Sequence, residues 1–144
     1  EIKECDWSSD VCSSDLREKE LEKREAMSNL EKSERPWGGY EVLQETSTYK
    51  VKTIWMNPGT RLSYQRHKFR AEHWFIVQGN GEVTIDGKVS PVKAGDTVEF
   101  PIGVLHRLSN TGSEKIIFIE VQTGTYFGED DIERVEDDYG RQGK

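Results

Sequence analysis

Cysteine is nearly absent from this sequence. The two that occur, Cys5 and Cys12, both fall in the first dozen residues. A disulfide framework or thiolate cluster in the body of the chain is therefore excluded. Long apolar runs are missing too. The longest, within Lys115–Gln122, is far too short to span a bilayer. The N-terminus has no apolar stretch of secretory length, so a cytoplasmic protein with no membrane partner is expected. No glycine-rich nucleotide loop and no solenoid-length repeat is visible. Histidine is scarce: only His67, His73 and His106 are present, which confines any imidazole chemistry to three positions.

What is abundant is charge. Hydrophobic and charged residues each make up 33% of the 144 positions. That balance suits one domain with charged segments outside its core. The net charge of −7 is carried by the ends. Residues 1–26 sum to −4, residues 129–144 to −4, and the middle to +1. The acidity therefore says little about a ligand, and nucleic acid is not expected as a partner.

Residues 1–33 read as an N-terminal extension, and 34–144 as the folded domain. The run Asp6-Trp-Ser-Ser-Asp-Val-Cys-Ser-Ser-Asp-Leu16 resembles a translated sequencing adapter and carries no helix or strand period. It is set aside from the fold argument, with Met27 as the expected native start. Arg17–Lys32 is rich in Glu, Lys, Arg and Leu and predicts an exposed charged helix. Arg35-Pro36-Trp37-Gly38-Gly39 would end it.

From Tyr40 onward the pattern is short strands. Candidates are Tyr40–Glu45, Tyr49–Met56, Leu62–His67, His73–Gln78, Gly81–Asp86, Lys88–Val92, Thr97–Phe100, His106–Ser109 and Lys115–Gln122. Asp86-Gly87 is a two-residue hairpin signal. Strands this short at this spacing predict an all-β sandwich or barrel. Trp37, Trp55 and Trp74 are assigned to packing, and Asn110 to capping a turn. Acids followed by arginine over Gly128–Arg141 fit either a short helix or a solvated acidic tail.

The histidines gather with other donors. Gln65 and His67 are two apart, so a strand would project them to one face. Glu72 follows a short bend, and His106 returns from a distant strand. Imidazole, carboxylate and amide oxygen together suit one divalent ion: zinc first, then manganese, cobalt or iron.

These positions resemble the two motifs of the cupin family. Gly59, five residues, Gln65-Arg66-His67, four residues, Glu72, six residues and Gly79 match the first motif, with Gln65 where a histidine usually stands. Gly95, five residues, Pro101-Ile102-Gly103, two residues, His106, three residues and Asn110 match the second throughout. The resemblance implies a single double-stranded β-helix (jelly-roll) barrel with a metal held by Gln65, His67, Glu72 and His106. A redox iron oxygenase is disfavoured by the amide at position 65.

A further series narrows the likeness: Glu34-Arg35-Pro36-Trp37-Gly38, Arg61–Gln65, Arg70–Trp74, His106-Arg107-Leu108, Gly128–Ile132 and Asp138–Arg141. It is similar to the C-terminal cupin domain of type II mannose-6-phosphate isomerases, usually fused behind a mannose-1-phosphate guanylyltransferase. Lys68 and Phe69 depart modestly from that pattern. The resemblance implies metal-dependent interconversion of mannose 6-phosphate and fructose 6-phosphate, feeding GDP-mannose and polysaccharide synthesis. The alternative is a non-catalytic sugar-phosphate or metal-binding module acting with a separate guanylyltransferase. For catalysis, the proton-transfer candidates are His73, Glu99 and a metal-held hydroxide, although His73 points away from Glu72 on an ideal strand. Arg61, Arg66, Arg70, Arg107 and Lys52 are the candidate phosphate ligands. An exposed sheet edge or apolar face also makes a homodimer an expectation.

Overall fold

The computed structural model describes residues 15–22 and 31–143. Residues 15–22 form a short exposed helix. Among the described residues, the compact unit that begins at Glu31 has eleven strands. These are β1 (Lys32–Arg35), β2 (Gly38–Glu45), β3 (Tyr49–Met56), β4 (Tyr64–Arg66), β5 (Arg70–Gln78), β6 (Asn80–Ile85), β7 (Lys88–Lys93), β8 (Thr97–Phe100), β9 (His106–Ser109), β10 (Ile116–Gly124) and β11 (Glu133–Glu136). They form two antiparallel sheets, in the orders β1-β2-β3-β10-β5-β8 and β11-β4-β9-β6-β7. The expected all-β barrel is what the chain adopts.

Local chemistry explains the turns. Asp86 and Gly87 both have positive φ, 45° and 82°. Two left-handed residues give the turn whose twist matches the flanking strands, so β6 and β7 pair in register from Asn80↔Lys93 to Ile85↔Lys88. Asn110 donates from Nδ2 to the carbonyls of Met56 and Glu114, and its Oδ1 accepts from Gly112 N–H. It therefore closes the loop after β9, as expected.

The two ends of the chain depart from expectation. The predicted helix over Arg17–Lys32 is helical at 17–22, and residues 23–30 lie outside the described residues. Lys32 instead opens β1, which pairs with β2 across a Pro36-Trp37 turn. Its periodicity is two: Ser33 and Arg35 are half-buried while Lys32 and Glu34 are exposed. The acidic tail is not a helix: it forms a short strand, with Glu129, Asp130, Glu133, Glu136 and Asp138 exposed. β11 pairs with β4, Glu133 opposite Arg66 and Arg134 opposite Gln65. Its charges neutralise arginines across the sheet instead of a helix dipole. Both cysteines and Met27 fall outside the described residues, as does the adapter-like run except at 15 and 16.

The core lies between the sheets. Met56, Ile76, Leu108, Ile116 and Phe118 are fully buried, with Trp74 and Phe100 stacked edge to face beside them. Not all of the interior is apolar. The buried face of β3 reads Lys50, Lys52, Ile54, Met56; that of β5, Arg70, Glu72, Trp74, Ile76; that of β10, Ile116, Phe118, Glu120, Gln122. Register aligns the polar ends, with Glu120 opposite both Lys52 and Trp74, and Gln122 opposite both Lys50 and Glu72.

Candidate metal centre

Glu72 faces inward from β5, His67 lies in the connection between β4 and β5, and His106 opens β9. Each is at most 2% exposed, and one donor atom from each lies within 4.8 Å of the others. His67 Nε2 stands 3.0 Å from Glu72 Oε1, and His106 Nε2 stands 3.3 Å from Glu72 Oε2.

The far side of each ring fixes its tautomer. His67 Nδ1 is 2.7 Å from the Asp131 carbonyl, and His106 Nδ1 is 2.9 Å from the Val104 carbonyl. A carbonyl only accepts, so Nδ1 carries the hydrogen and a neutral ring keeps its lone pair on Nε2. Both Nε2 atoms are buried and make no aligned hydrogen bond. Two lone pairs and a carboxylate in a dry space require a cation among them. In the metal-free protein a proton serves: burial alone would lower the His106 imidazole, but Glu72 draws it upward. Likewise burial alone would raise the Glu72 carboxyl, but His106 and His67 hold it well below the ordinary carboxylate range. The donors present, with backbone carbonyls orienting both rings, fit a divalent metal ion.

Further hydrogen bonds hold Glu72. Arg70 Nε donates to its Oε1 at 3.1 Å, and Trp74 Nε1 donates to its Oε2 at 3.2 Å. Trp74 Nε1 is also 2.9 Å from Glu120 Oε2. Of the ligands expected from sequence, His67, Glu72 and His106 converge. Gln65 pairs across the sheet with His106, and its Oε1 accepts from Ser63 Oγ at 2.5 Å.

Beside this cluster lies a cavity of about 380 Å³. Gln65, Trp74 and Glu120 form the wall nearest the cluster, and Trp37, Ile54, Leu62 and Ile132 form its apolar part. Its cations are Lys52, Arg35, Arg134 and Arg141. Trp37 and Trp74 thus serve the core and the cavity wall together, whereas Trp55 is half-buried on the outer face of β3.

Lys52 is the only phosphate candidate from the sequence that lines this cavity, where it pairs with Glu129. Four arginines are placed otherwise. Arg61 binds Asp138 at 2.6 and 2.8 Å, and Arg66 binds Glu133 at 2.8 and 3.1 Å. Arg107 donates to the carbonyls of Leu62 and Glu136. Arg70 is inside the barrel but engaged with Glu72 and the Gly128 carbonyl. The Gly128–Arg141 tail is what engages Arg61, Arg66 and Arg107. The two side-chain candidates for proton transfer also face away: His73 and Glu99 sit on the outer face, 2.8 Å from each other, with side chains 52% and 73% exposed. Period-two alternation puts His73 opposite in direction to Glu72.

Glu120, Gln122, Glu129, Arg35, Arg134 and Arg141 were not picked out from sequence. For the first two a signal was present: a glutamate and a glutamine two apart interrupt an otherwise Ile- and Val-rich strand. Arg35, Glu129 and Arg141 lie inside the family-like segments, but nothing local in the sequence says that they, or Arg134, line a cavity.

The chain matches the family model described as mannose-6-phosphate isomerase C-terminal over residues 22–137. It is 48% identical over 107 residues to the alginate biosynthesis protein AlgA of Pseudomonas aeruginosa, covering 74% of this chain and 22% of that protein. The xanthan biosynthesis protein XanB of Xanthomonas campestris is 47% identical over the same length, covering 74% of this chain and 23% of that protein. A mannose-1-phosphate guanylyltransferase of Salmonella montevideo is 46% identical, with the same two coverages. The chain thus spans less than a quarter of the length of these relatives. Among solved structures, a double-stranded β-helix protein from Klebsiella pneumoniae superposes with a TM-score of 0.62 at 27% identity, covering 72% of this chain and 91% of that one. Oxalate decarboxylase of Bacillus subtilis shares the fold, with a TM-score of 0.66 at 22% identity over 76% of this chain and 31% of that one. Architecture, motif spacing and family match agree that this chain belongs to the mannose-6-phosphate isomerase C-terminal family, on a cupin-type barrel.

Proposed function

We propose that this domain holds a divalent metal, zinc in the first instance, through His67, Glu72 and His106, with Gln65 as a fourth ligand. In the adjoining cavity it interconverts mannose 6-phosphate and fructose 6-phosphate for GDP-mannose and polysaccharide synthesis in the cytoplasm. The observation that carries this reading is the pair of buried imidazole nitrogens without hydrogen-bond partners flanking Glu72, next to a cation-lined cavity. Family membership and the names of the relatives, alginate and xanthan biosynthesis proteins among them, support the same substrate class.

The cavity is of a size that takes a small polar ligand. Lys52, Arg35, Arg134 and Arg141 bring positive charge toward a phosphate, Lys52 already paired with Glu129 and Arg141 with Asp137. Trp37, Ile54, Leu62 and Ile132 line the rest and limit water around the sugar. A bound divalent ion would polarise a sugar oxygen and stabilise the charge of an enediolate. Arg70 and Trp74 keep Glu72 fixed by hydrogen bonds from two sides. The proposal includes a homodimer, to be read from solution mass by light scattering.

The test is direct. The full chain, loaded with zinc, cobalt or manganese, should convert mannose 6-phosphate to fructose 6-phosphate in a coupled assay. Stoichiometric metal uptake without conversion by any of the three would leave a binding module that acts with a separate guanylyltransferase.

A further inference from the structure

The isomerisation needs a group that takes a proton from C2 and returns it to C1. The groups facing the cavity narrow the choice. Three carboxylates line it: Glu34, Glu120 and Glu129. Glu34 is solvent-exposed at the rim. Glu129 is ion-paired with Lys52. The Tyr40 hydroxyl donates to Glu31 at 2.5 Å. Glu120 differs from all of these. It is 5% exposed, projects inward from β10, and reaches the metal cluster through one shared donor, since Trp74 Nε1 bonds both Glu120 and Glu72.

From this placement we infer that Glu120 is the general base of the proposed isomerisation, a role that rests on that reading of the site. Both carboxylate oxygens are aimed. Oε2 accepts from Trp74 Nε1 at 2.9 Å, and Oε1 accepts from Gln122 Nε2 at 2.6 Å. Each oxygen keeps a second lone pair for substrate. Burial favours a proton on Glu120, against Lys52 and Arg70. A base that must hold the proton between two carbons benefits from that affinity.

The step balances without any further reagent. Glu120 takes the C2 proton of the open-chain aldose. The C2–H electron pair becomes the C1=C2 bond, and the carbonyl electrons move onto O1. The O2 proton passes to O1. The O2 electrons then form the ketone, while the C1=C2 pair takes the proton from Glu120 at C1. No atom is gained or lost.

The variant Glu120→Gln is nearly isosteric. Gln122 Oε1 is buried without a partner, so a turn of the Gln122 amide offers an acceptor to the new amide hydrogen. The full chain carrying E120Q is expected to lose at least about 100-fold in kcat, with unchanged metal content and KM, while E120D recovers part of the rate. A merely structural role would instead lower metal content and unfolding temperature together with kcat. A kcat within about tenfold of wild type in an active background would overturn the assignment alone, as would a loss that tracks metal loss. If E120Q does not fold, E120D decides, and an unchanged kcat there overturns it. A wild-type chain that takes up metal but never turns over removes the isomerase reading first.

Discussion

The two ends of the barrel interior are made by the same three strands and do opposite work. Toward one end β3, β5 and β10 bury Ile54, Met56, Trp74, Ile76, Ile116 and Phe118; toward the other they bury Lys50, Lys52, Arg70, Glu72, Glu120 and Gln122. The apolar end gains stability from area removed from water. The polar end surrenders that gain and must satisfy its charges, which it does along a strand (Arg70 with Glu72), between strands (Trp74 with Glu120) and from the tail (Glu129 with Lys52). The contrast shows how a small barrel makes a site: it keeps the strand period and changes only the chemistry of the last two inward positions.

That division can be broken or sharpened by substitution. The largest effect is expected at the polar end. His106→Ala removes one of three converging donors, and metal affinity should fall more than roughly 100-fold, beyond the loss expected for a residue that only orients a ligand. Metal titration of the purified variant checks this, and near-normal uptake would show that the site closes without His106. Next is the apolar end. Phe118→Ala should cost about 3–5 kcal/mol in urea unfolding and leave metal stoichiometry intact in the folded fraction.

Acid separates the two ends further. The Glu72 carboxyl is held well below its ordinary range once His106 and His67 outweigh its burial. Its folded-state value is depressed, so its contribution to the metal-free domain is present above the unfolded value, near pH 4.3, and is lost as pH falls through the folded value. Unfolding free energy of the metal-free domain should therefore decline below about pH 4, and Glu72→Gln should flatten that decline. The cost of Phe118→Ala should be alike at neutral and acid pH. The smallest effect is expected outside the barrel. His73→Ala should leave kcat/KM within about twofold, since an exposed residue away from the site shifts free energies by only a few tenths of a kcal/mol. A tenfold drop would return His73 to the chemistry.

What was legible in the sequence follows from distance along the chain. The barrel, the Asp86-Gly87 hairpin and the convergence of His67, Glu72 and His106 are written in fixed spacings. The inward face of β3 is harder to read. Val51, Thr53 and Trp55 look like the buried set, yet Lys50, Lys52, Ile54 and Met56 are buried. Lys52 enters the interior because Glu129 meets it there, and that partner arrives 77 residues later. The arginines teach the same lesson. Arg61 and Arg66 looked like phosphate ligands until the tail supplied Asp138 and Glu133. A charged side chain declares its type in sequence, but its partner is decided by the fold.

The Asp131 carbonyl that holds His67 Nδ1 also sets an order of events in synthesis. The Asp131 carboxylate further accepts from the backbone N–H groups of Lys68 and Phe69, so this one residue anchors the connection that carries the ligand. A ribosome releases residue 67 well before residue 131. Until the later residue docks, the imidazole at 67 has no fixed tautomer. Ten of the eleven described strands are complete in sequence at Gly124, but the contact that orients His67 is not. The final orientation of His67 in the candidate site therefore depends on a tail that supplies none of the three converging donors.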